Sequence, residues 1–228
     1  MKDAIKQMLK TIEAEARYTA SRTGRPSFAQ KVMKAMAEVE RAEFVPDYSR
    51  TYAYNNGPLY IGFGQTISQP YIVALTTDLL EVEPDHIVLE VGTGSGYQAA
   101  VLAKLVKQIF TIERVKELAD AATLRLQTLG YHNIETRCGN GYEGWPEQAP
   151  FDRIVVTAAA PAIPPALLEQ LKPKGRLVIP VGQPYMYQQL MVVTKDNENN
   201  IDTEPVLSVA FVPLIDDTDE NSENETAL

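Results

Sequence analysis

Three glycines at alternate positions, Gly92, Gly94 and Gly96, follow an apolar run from Ile87 to Val91. Ala99, Ala100, Val101, Leu102 and Leu105 continue beyond them at helical spacing. The order is buried strand, tight turn, helix. Glycines in such a turn let a ligand approach the backbone closely. Thr93 and Ser95, between them, add short hydroxyl side chains. About twenty residues past the first glycine, the apolar run Gln108–Ile112 ends in Glu113, where a carboxylate is placed to accept hydrogen bonds from a ribose diol. The chemistry implied is recognition of a nucleoside-like sugar.

Which nucleoside is decided by charge and spacing. A pyrophosphate needs positive potential and backbone N–H groups at the turn, yet Glu90 sits just before it. The glycines read G-x-G-x-G, not the dinucleotide pattern G-x-G-x-x-G. S-Adenosylmethionine (SAM) lacks phosphate and carries an ammonium and a sulfonium. Two unit charges about 4 Å apart interact by roughly 4 kcal/mol at an effective dielectric near 20, enough to select the sign of the ligand charge. Glu90 is therefore expected to favour SAM. A nicotinamide-dependent dehydrogenase is disfavoured on the same grounds.

The elements that must position these groups alternate along the chain. Strands are expected at 87–91, 108–113, 133–138, 151–157 and 175–181, and helices at 97–106, 115–129 and 164–171. That alternation predicts a Rossmann-like α/β sheet with helices on both faces. Helices are also expected from Ala4 to Ala20, from Phe28 to Val39 and from Pro70 to Leu80, forming an amino-terminal extension. The stretch from Gly57 to Pro70 reads as a loop rich in glycine and small polar residues. Leu190–Thr194 and Val206–Leu214 read as an antiparallel closing pair around the polar turn Asp196–Asn200. The expected organisation is helices and a substrate loop over 1–83, a cofactor-binding α/β unit over 84–215, and an acidic tail over 216–228. Ligands in such sheets sit beyond the carboxyl ends of the strands, which makes Gly139-Asn140-Gly141 and Thr157–Pro161 further candidate walls.

Composition sets limits. The net charge is -9, but residues 216–228 hold six acids and no bases, so the rest of the chain is close to neutral. It carries no basic stripe of the kind a nucleic-acid binder needs. No run approaches the ~20 apolar residues of a membrane span, and no signal-peptide pattern opens the chain. The single cysteine, Cys138, excludes an internal disulfide and a cysteine-based zinc site, and is expected as a small buried or half-buried thiol. A cytoplasmic protein is the expectation. His86 and His132 stand at expected strand starts, away from the ligand end, and read as structural. Trp145 reads as core or as a cofactor-side wall. Tyr48, Tyr52, Tyr54 and Tyr60 read as packing residues over the loop. Ser68, two residues before Pro70, reads either as the N-cap of the next helix or as a ligand-facing hydroxyl.

Several segments together resemble the protein-L-isoaspartate O-methyltransferase family: Gly64-Gln-Thr-Ile-Ser-Gln-Pro70, Leu89–Tyr97, Pro150-Phe-Asp152 with Val156–Pro161, Leu171–Gly182 and Phe211–Leu214. The first is specific to that family; the glycine turn is shared by many methyltransferases. The resemblance spans roughly residues 28–215. It implies methyl transfer from SAM to the free α-carboxylate of L-isoaspartyl residues in damaged proteins and peptides, whose ester then closes to a succinimide. It also implies Ser68 as the active-site hydroxyl, with Gln65, Thr66 and Ile67 beside it for substrate. Glu90, Gly92, Thr93, Gly94, Ser95, Gly96, Glu113, Asn140 and Gly141 would hold the cofactor. No metal is implied. The family usually has aspartate where this chain has Asn140, so a modestly weaker grip on the adenine amine is expected, by ~1 kcal/mol. Rival readings are a SAM-dependent enzyme acting on a small molecule or RNA, and a SAM-binding protein without activity.

Overall fold

The computed structural model describes residues 2–183 and 186–216, so the expected acidic tail lies outside the described residues apart from Asp216. The chain opens with helix α1 (Lys2–Thr23), which buries Met8, Ile12, Ala16, Thr19 and Thr23 as one stripe at helical spacing. Helix α2 (Gln30–Glu38) follows, then two short 3-10 segments (Arg41–Phe44 and Asp47–Tyr52). The stretch read as a plain loop contains a two-stranded hairpin, β1 (Leu59–Gly62) and β2 (Gln65–Ile67). Its turn is made by Phe63 and Gly64, both at positive φ. Strands this short, with a phenylalanine at a position that favours glycine, leave little pattern to read.

After α3 (Pro70–Leu79) the alternating part begins with β3 (Ile87–Val91), α4 (Tyr97–Ala103), β4 (Gln108–Glu113), α5 (Lys116–Thr128) and β5 (Ile134–Cys138). It continues through β6 (Phe151–Val156), α6 (Pro165–Glu169), β7 (Leu171–Gly182), β8 (Gln188–Lys195) and β9 (Ile201–Val209). The seven-stranded sheet runs β5-β4-β3-β6-β7-β8-β9, parallel through β7 and antiparallel for the last two. The expected fold class, with its antiparallel closing pair, is the one found.

Two boundaries differ from expectation. The sixth helix is shorter than 164–171 because the backbone turns into β7 at Leu171. The closing strand occupies 201–209, not 206–214. The tight turn after Lys195 pairs that residue directly with Ile201. Pro205 is accommodated in β9 because that strand is the sheet edge. Residues 210–214 leave β9 and cross to the segment after β6: Ala159 N–H donates to Val212 O at 2.8 Å and Leu214 N–H to Ala159 O at 2.8 Å.

Strand alternation divides the core. Val88, Ile109, Val155 and Val178 face α1 to α4, whereas Leu89, Phe110, Ile154 and Leu177 face Trp145, Phe151 and Leu167. Trp145 is therefore core, edge-to-face with Phe110 at 5.4 Å. Cys138 departs from expectation and is exposed, because β5 is the other sheet edge. Tyr48, Tyr52 and Tyr60 are also exposed instead of packed.

The switch in strand order falls between β3 and β6, with β4 and β5 on one side and β7 on the other. The Gly92 turn and Thr157 thus stand side by side at the carboxyl ends of adjacent strands. Arg41, fully buried, ties the 3-10 region to the start of the hairpin. Its Nε donates to Ala53 O at 2.8 Å, its Nη2 to Gly57 O at 3.4 Å, and its guanidinium lies 4.9 Å from the Tyr97 ring centre. Asn56 Oδ1 then accepts the Tyr71 N–H at 3.1 Å, fixing the hairpin entry to the start of α3.

Candidate active site

Three adjoining cavities open at this switch point, and Thr66 and Thr157 line all of them. The first is a cleft bounded by Gly92, Gly94, Ile112, Glu113, Gly141 and the Val212–Ile215 segment. The second, about 540 Å³, runs between α1 and the end of β9, past Ser68, Gln69 and Tyr71. The third lies under β2 and over the glycine turn, touching Ile67, Ser68, Thr93, Gly94 and Ser95.

Backbone donors in the turn are largely committed to the protein itself. The N–H groups of Gly92 and Thr93 donate to Ile112 O at 2.8 and 3.1 Å, and that of Gly96 to Thr93 O at 2.8 Å. Gly94 N–H donates to Glu113 Oε2 at 2.7 Å, while the other oxygen of Glu113 accepts from Val115 N–H at 3.0 Å. Phosphate recognition at a helix start needs those donors free. Here the Gly94 N–H, at the edge of the first cleft, is taken by Glu113, which disfavours a phosphate at that position. Each Glu113 oxygen accepts one backbone N–H and keeps a lone pair, and the residue lines the first cleft, as a sugar-diol acceptor requires. The donor set therefore fits a sulfonium nucleoside better than a dinucleotide.

Several expected residues stand behind this wall, not in it. Glu90 is fully buried and lines none of the three cavities. Alternation puts it on the α4 face of β3, in register with Thr111. The Thr111 hydroxyl donates to Glu90 Oε2 at 2.5 Å and stands 2.7 Å from the Thr93 hydroxyl. Burial, partly opposed by the Thr111 bond and aided by the nearby Glu113 charge, pushes its pKa up to about 8. That upward shift and its place behind the cavity lining set Glu90 apart from the residues that face a ligand directly. Its place is to brace the floor of the turn through Thr111 and Thr93. Gly96 also sits behind, where a Cβ would press within 3.2 Å of Leu126.

Ser68 is brought to the site with its hydroxyl in no hydrogen bond among the described residues. The N-cap of α3 is Gln69, without a side-chain cap bond, so the capping alternative for Ser68 falls away. Gln65 and Thr66 on β2 line the first cleft, and Ile67 lines the third. Thr157, at a strand end expected to form a wall of the site, lines all three cavities. Its hydroxyl donates to Gly92 O at 2.6 Å and closes the seam between β3 and β6. A Cβ on Gly92 would meet that hydroxyl at 2.4 Å, so the glycine is required for this approach as well as for its φ of 97°. His86 lies at the opposite end of β3, where its Nδ1 accepts from Glu83 N–H at 3.0 Å.

Comparison with known proteins agrees with this geometry. A model of the family described as protein-L-isoaspartate(D-aspartate) O-methyltransferase matches residues 18–219. The chain belongs to that family. Among its relatives, protein-L-isoaspartate O-methyltransferase 2 of Nitrosococcus oceani is 59% identical over 209 residues, covering 92% of this chain and 95% of the relative. The Syntrophobacter fumaroxidans protein of the same name is 57% identical, covering 91% and 84%. A solved protein-L-isoaspartate O-methyltransferase superposes with a TM-score of 0.81 at 25% identity, covering 98% of this chain and 70% of that one. A putative Plasmodium falciparum member, solved in complex with S-adenosyl-L-homocysteine, gives 0.76 at 26% identity and covers 92% and 97%.

Asn140 takes on a different meaning in this setting. Its Oδ1 accepts the Tyr142 N–H at 3.0 Å, capping the 3-10 turn Gly141–Glu143, and its Nδ2 donates to Asp216 Oδ1 at 2.9 Å. Asn140 thus clips the Val212–Ile215 wall of the first cleft to the β5 end. An aspartate there would face Asp216 charge to charge. We expect Asn140→Asp to weaken S-adenosylhomocysteine binding about threefold to tenfold in titration calorimetry, and the exchange Asn140→Asp with Asp216→Asn to restore it. Tighter binding by the single variant would contradict this.

Glu90 makes stability depend on pH. Its folded pKa lies above its ordinary value of 4.5, so the stability it contributes is complete below about 4.5 and is lost as pH rises through about 8. In urea titrations wild type is expected to lose ground steadily against Glu90→Gln between those limits and to hold level above them. The total is a few kcal/mol at about 1.4 kcal/mol per pKa unit. A difference that does not vary with pH would show that Glu90 is ionised in the fold.

Proposed function

We infer that the chain methylates the free α-carboxylate of L-isoaspartyl residues in damaged proteins and peptides, using SAM, and that Ser68 is the hydroxyl that orients the substrate. The observation that carries the reading is the position of Ser68. Its unengaged hydroxyl borders both the cavity over the glycine turn and the larger cavity that opens toward α1 and β9. A group entering the larger cavity meets Ser68 before it meets the turn.

The chemistry asks little of the protein by way of proton transfer. An α-carboxyl titrates near 3.5, so the accepting group is already ionised at neutral pH. SAM, when bound, supplies an electrophilic methyl carbon on a positively charged sulfur. Gly92, Thr93, Gly94, Ser95, Glu113 and Gly141 would hold it, Glu113 toward the sugar, with Glu90, Gly96 and Asn140 supporting from behind. Neither histidine lines the three cavities, which suits a reaction without a general base. Ser68 donates a hydrogen bond to the carboxylate and fixes its line of approach. Gln65, Thr66 and Ile67 carry Ser68 on the hairpin and cover the turn against water. Good placement alone is worth ~7–11 kcal/mol in intramolecular reactions, so alignment accounts for most of the rate.

Isoaspartyl-containing proteins and peptides are thus the partners. No helix among the described residues is long and apolar enough to cross a membrane. A cytoplasmic setting is part of the proposal, supported by the lone, unpaired thiol of Cys138. The test is methyl transfer to an isoaspartyl peptide beside its normal aspartyl twin. Turnover is expected with the first only, and Ser68→Ala is expected to lower kcat about 10- to 100-fold while the S-adenosylhomocysteine affinity stays put. Equal turnover of both peptides, or a Ser68→Ala variant as fast as wild type, would overturn the assignment.

A further inference from the structure

The larger cavity has one feature that the methyl-transfer chemistry does not use. Glu15, on α1, lines it together with Ser68, Tyr71 and the Leu207–Val212 segment, and it is the only lining residue with a charged side chain among the described residues. Its carboxylate makes no ion pair or hydrogen bond among the described residues, although the salt bridges of this protein are numerous elsewhere. Glu15 is half-buried, at the border of the apolar stripe through Ile12, Ala16 and Thr19.

Its surroundings are otherwise neutral and well ordered by hydrogen bonds. The Thr19 hydroxyl donates to Glu15 O at 2.9 Å and lies 2.6 Å from the Tyr71 hydroxyl. Burial raises the Tyr71 pKa; the Thr19 bond opposes that rise, and the Glu15 charge adds to it, so the carboxylate is within electrostatic reach of the cavity wall. A half-buried carboxylate on a cavity wall without a partner attracts a cation and repels another carboxylate.

We propose that Glu15 sets the charge preference for residues flanking the isoaspartyl site, favouring peptides with Lys or Arg next to the damage over peptides with Asp or Glu there. This rests on the function proposed above, since the occupant of the cavity is the remainder of that substrate. The isoaspartyl carboxylate reaches Ser68, and the neighbouring residues extend along the Leu207–Val212 wall toward α1. A cationic side chain among them pairs with Glu15; an acidic one is left facing it. Because the pair is half-exposed, its effect is modest and falls with salt.

The experiment compares kcat/KM for isoaspartyl peptides that differ only by Lys or Glu at one flanking position, with the substitution walked across both flanks. Wild type, Glu15→Gln and Glu15→Lys are assayed at low and high salt. At one or two positions wild type is expected to favour Lys about fivefold, mainly through KM, a size typical of one partly screened pair. Glu15→Gln should bring that ratio to about 1, and Glu15→Lys should invert it. A peptide with neutral flanks should be handled by wild type and Glu15→Gln within about twofold, which separates specificity from folding. A Lys-to-Glu ratio that is the same in all three proteins at every position overturns the assignment to Glu15 while leaving the methyltransferase reading intact. Absence of turnover with every isoaspartyl peptide overturns both.

Discussion

The bridge from the Glu113 carboxylate to the N–H groups of Gly94 and Val115 is the interaction that holds the site together. It joins the glycine turn after β3 to the turn after β4, so two strand ends become one rigid floor. It also uses the donor that a phosphate would need. An anion nest and a carboxylate-capped turn are alternative uses of the same backbone, and this chain has the second. The identity of the ligand is thus written less in the net charge near the turn than in which backbone donors remain available.

From that floor the rest of the arrangement follows by packing. Thr157 presses its hydroxyl onto Gly92 O and seals the seam to β6. The Val212–Ile215 segment, returned from β9 and held by Ala159 and Asn140, supplies the opposite wall. The β1–β2 hairpin, anchored through Arg41 and the Asn56–Tyr71 bond, brings Ser68 over the floor. Each of these is a short-range tie between segments distant in sequence. Together they bring one hydroxyl, that of Ser68, to the border between the cavity over the glycine turn and the larger cavity.

The alternating part of the fold was legible because each β-α unit carries its own period, and the glycine turn and Glu113 announce a nucleoside site by spacing alone. Burial was the part that residue types did not reveal. Glu90 reads as a charge beside the ligand, yet strand alternation turns it under α4, where desolvation raises its pKa. Cys138 reads as a small core residue and lies on an edge strand. The β1–β2 hairpin was hidden by its three- and four-residue strands and a turn through Phe63. Thr157 is marked by its strand end, but its bond to Gly92 O depends on the pairing of β3 with β6. The bond from Asn140 to Asp216 had no sequence signal because the two residues are far apart along the chain.

Glu113 holds the floor and lines the first cleft, where the proposed function puts the sugar. Titration calorimetry of S-adenosylhomocysteine against wild type and Glu113→Gln, paired with hydrogen exchange at Gly94 and Val115, examines both at once. In the glutamine variant one side-chain atom becomes a donor facing a donor. Binding at least about tenfold weaker is expected, together with faster exchange at those two amides. Unchanged affinity, with both amides still protected, would show that neither the floor nor the sugar relies on this carboxylate.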